Sequence, residues 1–225
     1  MARSYRNLAD SMLQSVIQHL EKLVSFDTRN PPRDIGTDGI FDYLRTQLAD
    51  FTIEVTDHGA GAVSFFAVRG QPKRVFNVHL DTVPSSPAWS ADPHVLRIEG
   101  DRAIGLGACD IKGAAAALVA AAQVTKGDAA FLFTTDEEAN DARCIAAFLA
   151  RDHGFGEAII AEPTQCQAVL AHRGISAVRM AFKGQAGHAS AENALSLSAL
   201  HNAMRWGTSA LDFVQAQHHL RFGGL

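Results

Sequence analysis

The stretch Val78-His79-Leu80-Asp81-Thr82-Val83-Pro84 decides how this sequence is interpreted. It closes an apolar run, residues 74–78, that predicts a buried β-strand. Proline cannot donate a hydrogen bond to a strand ladder, so Pro84 ends the strand and begins a loop. The sequence therefore places a histidine and an aspartate at the carboxyl end of a strand, where open α/β sheets form their ligand sites.

The spacing of His79 and Asp81 predicts that they work as a pair. In an extended chain, side chains two residues apart lie on the same face. A carboxylate beside a histidine commonly orients a metal-binding imidazole and raises its basicity. Taken alone, the pair also fits a purely structural strand end followed by an aspartate in a turn.

The rest of the chain alternates between predicted helices and strands. Apolar residues at helical spacing predict one helix from Leu8 to Leu23 and another from Ile40 to Leu48, with Thr37 or Asp38 as the N-cap. Further helices are predicted at residues 114–123 and 142–150. Strands are predicted at residues 52–56, 63–68, 75–80 and 129–134. An edge strand is predicted at 95–98 and a short buried strand at 158–161. This alternation predicts an α/β fold, a mostly parallel sheet with helices on both faces.

Acidic residues follow two of these strands and one glycine-rich loop. Glu137 and Glu138 come after the strand at 129–134, Glu162 comes after the strand at 158–161, and Asp110 lies in the loop that leads into the alanine-rich helix. Each has a structural alternative: a helix cap for Asp110, a solvated turn for the glutamate pair and a loop start for Glu162. Together with His79 they are expected to meet at one edge of the sheet.

Such a cluster of carboxylates is expected to bind a divalent cation. Carboxylates that pack together repel and do not all ionise, unless a cation neutralises them. Imidazole and carboxylate donors without a thiolate motif favour zinc, cobalt or manganese in a catalytic site over a structural zinc site. Of two adjacent glutamates, one can bind metal while the other takes a proton from the attacking water. The sequence therefore predicts a metallohydrolase.

Composition excludes several other classes of protein. The 225 residues are 47% hydrophobic and 20% charged with a net charge of −4, as in a globular domain. The mild acidity, without a Lys/Arg cluster, argues against nucleic-acid or anionic membrane partners. No apolar run is long enough to span a bilayer. Cys109, Cys144 and Cys166 form no C-x-x-C pair and are interpreted as reduced thiols of a cytoplasmic protein.

Several segments resemble the signatures of the co-catalytic di-zinc metallopeptidase and deacylase family. They occur in the family's order, at residues 79–84, 107–113, 135–138, 161–164 and 187–190. That family includes acetylornithine deacetylase, succinyl-diaminopimelate desuccinylase, aminoacylase and carboxypeptidase G. The resemblance is greatest to the branch that deacetylates acetylornithine or acetylcitrulline.

The resemblance implies an amidohydrolase of arginine biosynthesis. Its substrate would be a small N-acyl amino acid, N-acetylornithine or N-acetylcitrulline, from which it removes the acetyl group. A desuccinylase or aminoacylase activity, or an inactive remnant, is the alternative. No residue separates ornithine from citrulline by a physical argument.

The resemblance also implies a site for two metal ions, zinc or cobalt. His79 and Glu162 would hold one ion and Glu138 the other, with Asp110 bridging them. Asp81 would orient His79.

Catalytic roles follow by the same resemblance. Glu137 would be the general base. His188 would reach the active site of a partner subunit in a homodimer and stabilise the oxyanion, although a histidine flanked by glycine and alanine also fits a surface loop. The expected domains are a catalytic domain at residues 1–174 and part of a smaller α+β lid and dimerisation domain at 175–225.

The chain is expected to be a fragment or a truncated product. Members of the family that this chain resembles continue beyond the equivalent of residue 225. The part that follows supplies their last metal ligand, a histidine. His201, His218 and His219 lie in a predicted lid helix and are no evident substitute. Such a chain is expected to be poorly stable and nearly inactive alone.

Overall fold

A computed structural model describes residues 2–171 and 178–216, with side chains of the first helix from residue 9 onward. The chain divides into two compact units, Met1–Cys166 and Gln167–Leu225. The predicted domain boundary between residues 174 and 175 lies outside the described residues, as do His218 and His219.

The first unit contains a five-stranded sheet and its helices. The strands of the sheet run in the order β1-β2-β6-β3-β7. The elements are α1 (Ala2–Val24), α2 (Ile40–Gln47), β1 (Thr52–Asp57), β2 (Val63–Arg69), β3 (Arg74–His79), β4 (Arg97–Glu99), β5 (Arg102–Ile104), α3 (Gly113–Val124), β6 (Ala129–Thr134), α4 (Arg143–Leu149) and β7 (Glu157–Ile160).

The sheet is mostly parallel, as predicted. β3 pairs parallel with both β6 and β7, whereas β2 pairs antiparallel with both β1 and β6. Four strands of this sheet therefore point the same way, and β2 alone runs against them. In place of the edge strand expected at 95–98, the structure has β4 at Arg97–Glu99, which pairs with β5 in a separate two-stranded sheet.

The register aligns the carboxyl ends of three strands. His79, the last residue of β3, lies opposite Thr134, the last residue of β6. On the other side of β3, Asn77 lies opposite Ile160, where β7 ends. The segments after β3, β6 and β7 therefore leave the sheet at the same edge.

Helices cover both faces of the sheet, as predicted. On one face, α1, α2 and α3 pack around a buried core that includes Phe41, Phe65 and Phe133. On the other face, Leu132 and its buried neighbours pack against Phe148 of α4. Successive strand residues point to opposite faces, which is why Leu132 and Phe133 enter different cores.

Two local predictions are wrong. The strand predicted as buried at 158–161 corresponds to β7, which is exposed at every position because β7 is the outer strand and pairs only with β3 among the described residues. The N-cap of α2 is Gly39, with a φ of 60°, and not Thr37 or Asp38. The Gly39 N–H donates a hydrogen bond to Asp42 Oδ2 at 3.2 Å, so the capping carboxylate comes from inside the helix.

The second unit contains α5 (Ala194–Leu197) and α6 (Ala199–Ala216). Residues 178–191 form no regular strand or helix. No described residue of this unit is buried. In the described parts of both units, every helix is too short or too polar to cross a membrane.

Candidate metal centre

The imidazole of His79 lies at the centre of the predicted cluster. It is 3% exposed and ends β3. Its Nδ1 atom lies 3.0 Å from the backbone oxygen of Asp81 and 3.5 Å from Asp81 Oδ1. Its Nε2 atom lies 2.9 Å from Asp110 Oδ1 and 3.8 Å from Glu162 Oε1. One ring nitrogen therefore faces Asp81 while the other faces the two more exposed carboxylates.

Asp81 connects the end of β3 to the glutamate segment. Its side chain is fully buried, and Oδ2 accepts a hydrogen bond from the Glu138 N–H at 2.9 Å. The shared face predicted for His79 and Asp81 is the one the structure shows. Asp81 thus contacts both the imidazole and the backbone that carries Glu138.

Asp110 lies in a distorted helical turn, Ala108–Lys112, directly before α3. Its φ and ψ of −119° and 92° are not helical, and its side chain is 52% exposed. The N-cap of α3 is Lys112, and no side chain forms a cap hydrogen bond there. Asp110 therefore does not cap the helix, which was the structural alternative, and its carboxylate meets His79 instead.

The donor atoms come close enough to share a cation. One ligand atom from each of His79, Asp110 and Glu138 lies within 4.8 Å of the others. Glu162 lies on the same side of the imidazole, next to Nε2. Four of the predicted ligands, from four separate segments of the chain, are thus brought together at the sheet edge.

Several carboxylates lie close together at this site and shift the pKa values of its residues. Burial disfavours a charged imidazole at His79, but the hydrogen bond and charge of Asp81, together with the charge of Glu162, outweigh it and raise the pKa of His79 to about 9. Burial raises the pKa of Glu138 and of Glu162, and the nearby charge of Asp110 adds to both shifts although His79 opposes them. A positive charge at this position is therefore favourable.

A divalent metal ion fits this donor set. One imidazole nitrogen and several carboxylate oxygens suit zinc, cobalt or manganese. Asp81 meets Nδ1 with its backbone oxygen at 3.0 Å and with its carboxylate at 3.5 Å, and a carbonyl or carboxylate partner usually accompanies a metal-binding histidine.

The remaining predicted residues lie around this cluster or in the other unit. Glu137 is exposed beside Glu138, and its charge contributes to the raised pKa of Glu138 and Glu162. His188 belongs to the second unit, where it is exposed and its Nδ1 atom lies 2.7 Å from Ser190 Oγ. His201 is half-buried in α6.

Sequence reasoning missed several buried polar residues next to the cluster. Thr28 and Asn30 are buried, but they lie in a polar stretch, residues 27–30, whose sequence gives no signal of burial. Lys112 lies inside the segment at residues 107–113, but the sequence alone assigns it no role. It is 1% exposed, and burial lowers its pKa to about 7, against the opposing charges of Asp27 and Asp81.

The chain is similar to known proteins in sequence and in structure. The sequence model of peptidase family M20/M25/M40 matches residues 75–216. The chain is 67% identical over 215 residues to N-acetyl-L-citrulline deacetylase of Xanthomonas campestris pv. campestris, covering 95% of this chain and 59% of that protein. It is 30% identical over 191 residues to succinyl-diaminopimelate desuccinylase of Wolinella succinogenes, covering 79% of this chain and 51% of that protein.

Two solved structures share the fold. Human carnosine dipeptidase 1 superimposes with a TM-score of 0.57 at 18% identity, covering 69% of this chain and 40% of that chain. The dipeptidase Dug1p of Saccharomyces cerevisiae superimposes with a TM-score of 0.50 at 16% identity, covering 68% and 39%. The chain thus spans between half and three fifths of the length of the curated relatives it matches.

Proposed function

We propose that this chain, which belongs to peptidase family M20/M25/M40, carries the metal centre of an amidohydrolase that removes the acetyl group from N-acetylcitrulline or N-acetylornithine. The 67% identity to a relative named N-acetyl-L-citrulline deacetylase favours the citrulline substrate. Arginine biosynthesis and a cytoplasmic location belong to the same proposal.

One observation carries the proposal. The ligand atoms of His79, Asp110 and Glu138 lie within 4.8 Å of one another at the carboxyl edge of the sheet, although the three residues are 28 or more positions apart in the chain. Open α/β sheets bind their ligands at this edge.

The residues that would hold metal are His79, Asp110, Glu138 and Glu162, with two zinc or cobalt ions and Asp110 between them. A bound divalent ion polarises the amide carbonyl and makes water more acidic. Asp81 would keep the proton on Nδ1 of His79, so that the lone pair of Nε2 points towards the carboxylates.

Glu137 would act as the general base. Its carboxylate is exposed, so water can reach it, and it is adjacent to Glu138 in the segment that Asp81 holds. Such a carboxylate can remove a proton from the attacking water and pass it to the departing amine. Because a ligand glutamate is fixed by its metal, the neighbouring glutamate is the one free to move a proton.

His188 would stabilise the charge on the tetrahedral oxygen of the substrate, from a partner subunit in a homodimer. Its exposed position in the second unit is compatible with contact to another molecule. The division into a catalytic part at residues 1–174 and a lid and dimerisation part at 175–225 belongs to the same proposal.

A second candidate is a desuccinylase, favoured by the 30% identity to succinyl-diaminopimelate desuccinylase. Measuring turnover of N-acetylcitrulline, N-acetylornithine and N-succinyl-diaminopimelate with added Co²⁺, by a form of the protein that spans the full length of its relatives, separates the candidates. We expect turnover of an acetylated substrate to exceed turnover of the succinylated one.

The variant Glu137→Gln tests the assigned base. In a form of the protein that spans the full length of its relatives, we expect it to keep the metal and to lose about 10²-fold or more in turnover, as removal of a general base does. Glu21→Gln, an exposed glutamate on α1, is the matched control and should leave turnover unchanged. Near-normal turnover in Glu137→Gln would reassign the base, and metal binding without turnover of any substrate would favour the inactive alternative.

A further inference from the structure

The loop after α1 forms hydrogen bonds with the segments that carry His79, Asp110 and Glu138. We call residues 26–30 the brace. They lie outside residues 75–216, the region that the family model matches. Each contact is a hydrogen bond to a backbone oxygen or from a backbone N–H, so the brace acts on the path of the chain.

The first contact is with the chain that leaves β3. Thr28 Oγ1 donates a hydrogen bond to the backbone oxygen of Leu80 at 2.6 Å. The Thr82 N–H donates to Thr28 O at 2.9 Å, and the Asn30 N–H donates to Thr82 O at 2.9 Å. Thr28, Asn30 and Thr82 are each 2% exposed or less. These bonds flank Asp81 and follow His79 directly.

The second contact is with the segment that carries the glutamate pair. Asn30 Nδ2 donates to the backbone oxygen of Thr135 at 2.6 Å. Thr135 is itself fixed, because its hydroxyl accepts from the Val63 N–H at 2.8 Å and donates to Gly61 O at 2.6 Å. Glu138 follows three residues later.

The third contact is with the turn that carries Asp110. Lys112 Nζ donates to the backbone oxygen of Phe26 at 3.0 Å from a side chain that is 1% exposed. A Cβ atom on Gly107 would lie 2.5 Å from Thr82 Cγ2 and 3.3 Å from Lys112 Cδ. Glycine is therefore required where the lysine stem and Thr82 pack against the start of this turn.

These polar groups are costly to bury. A lysine that is 1% exposed loses its hydration, and an apolar side chain of similar shape would avoid that cost. Among the described residues, Asn30 Oδ1 and Thr82 Oγ1 are buried without a hydrogen-bond partner. Buried polar atoms without a partner are unfavourable for stability, and of the five such atoms among the described residues, three belong to Asn30, Asp81 and Thr82.

We propose that the brace, together with Lys112, positions His79, Asp110 and Glu138 at the separation that cation binding requires. This inference rests on the proposed metal centre. Thr28, Asn30 and Lys112 touch no substrate and act through the segments that they hold, so they are positioning residues.

Two substitutions with matched controls test the brace in the full chain. Thr28→Val removes the hydroxyl at nearly constant shape, and Thr28→Ser keeps it. Lys112→Met removes the ammonium group, and Lys126→Met makes the same change at a side chain that is 81% exposed. For each protein we would measure the Kd for Co²⁺ by chelator competition, the visible absorption spectrum of the Co²⁺ complex, and thermal unfolding without metal.

We expect Thr28→Val and Lys112→Met to weaken Co²⁺ binding by about 10- to 100-fold, as loss of groups behind a ligand does, and to change the absorption spectrum. Thr28→Ser and Lys126→Met should match the unmodified protein.

Equal Co²⁺ affinity and spectra in all five proteins would overturn the brace and leave the metal centre standing. Weaker binding that appears only where the metal-free variant has lost its native fold would also overturn positioning, because it would show a merely structural role. Failure of the unmodified chain to bind Co²⁺ would overturn the metal centre, and the brace with it.

Discussion

The two units of the chain differ in how their apolar residues are used. In the first unit, Phe41, Phe65 and Phe133 are completely buried between the helices and the sheet. In the second unit, α6 leaves Met204 61% exposed and Phe213 65% exposed, and no described residue is buried.

This difference explains where a precise site can form. The donors around His79 project from segments that a packed core and buried hydrogen bonds hold in place, which is the arrangement that metal binding needs. The apolar residues of α6 are instead available to another surface. The comparison therefore predicts that the first unit carries the metal centre. It also predicts that the exposed apolar residues of α6 contact another surface.

The largest expected effect contrasts a buried ring of the first unit with an exposed ring of the second. Phe65→Ala removes a ring that is fully buried, and we expect the free energy of unfolding to fall by about 3–5 kcal/mol. Phe213→Ala makes the same change at an exposed ring and should change it by about 0.5 kcal/mol or less. Urea denaturation measures both values, and similar losses would show that α6 is packed as tightly as the sheet.

A smaller effect is expected from buried hydroxyls. Thr135→Val leaves the buried N–H of Val63 without its acceptor, which should cost about 1–3 kcal/mol of unfolding free energy. Thr208→Val removes an exposed hydroxyl that donates to Met204 O at 3.1 Å on α6, with an expected change of about 0.5 kcal/mol or less. A neutral Thr135→Val would mean that the hydrogen bonds of Thr135 do not constrain the glutamate segment.

The smallest effect on stability should come from exposed leucines. Their replacement tests instead whether α6 mediates self-association. Leu211 on α6 and Leu13 on α1 are both 56% exposed. Replacing either with serine should change the unfolding free energy by only about 0.5 kcal/mol. Sedimentation should show weaker self-association for Leu211→Ser alone, because Leu211 lies on α6 with other exposed apolar residues, Leu200, Met204 and Phe213. Equal sedimentation of the two variants would show that α6 is not the surface through which the chain self-associates.

Much of the fold and the cluster follows from local sequence patterns. The alternation of apolar runs and helical periodicity placed β3 and β6, and parallel strands bring their carboxyl ends to one edge. The ends of β3, β6 and β7 then give His79, Glu138 and Glu162 a common location. This reasoning needs only the direction of each strand, which the alternation supplies.

Burial and long-range hydrogen bonds could not be predicted in the same way. The apolar residues Ile159 and Ile160 suggested a buried strand, but their exposure depends on β7 being the outer strand. The bond from Asn30 to Thr135 joins residues 105 positions apart, and no local pattern specifies such a pair. The role of Lys112 is equally invisible until the loop after α1 is seen beside it.

The most direct test of the account is a calorimetric titration of the metal-free chain with Zn²⁺. We compare the unmodified protein with His79→Ala in the first unit and His201→Ala in the second. We expect saturable binding that is lost or greatly weakened in His79→Ala and unchanged in His201→Ala. Equal Zn²⁺ binding by all three proteins, or no binding by the unmodified one, would contradict a metal centre at His79.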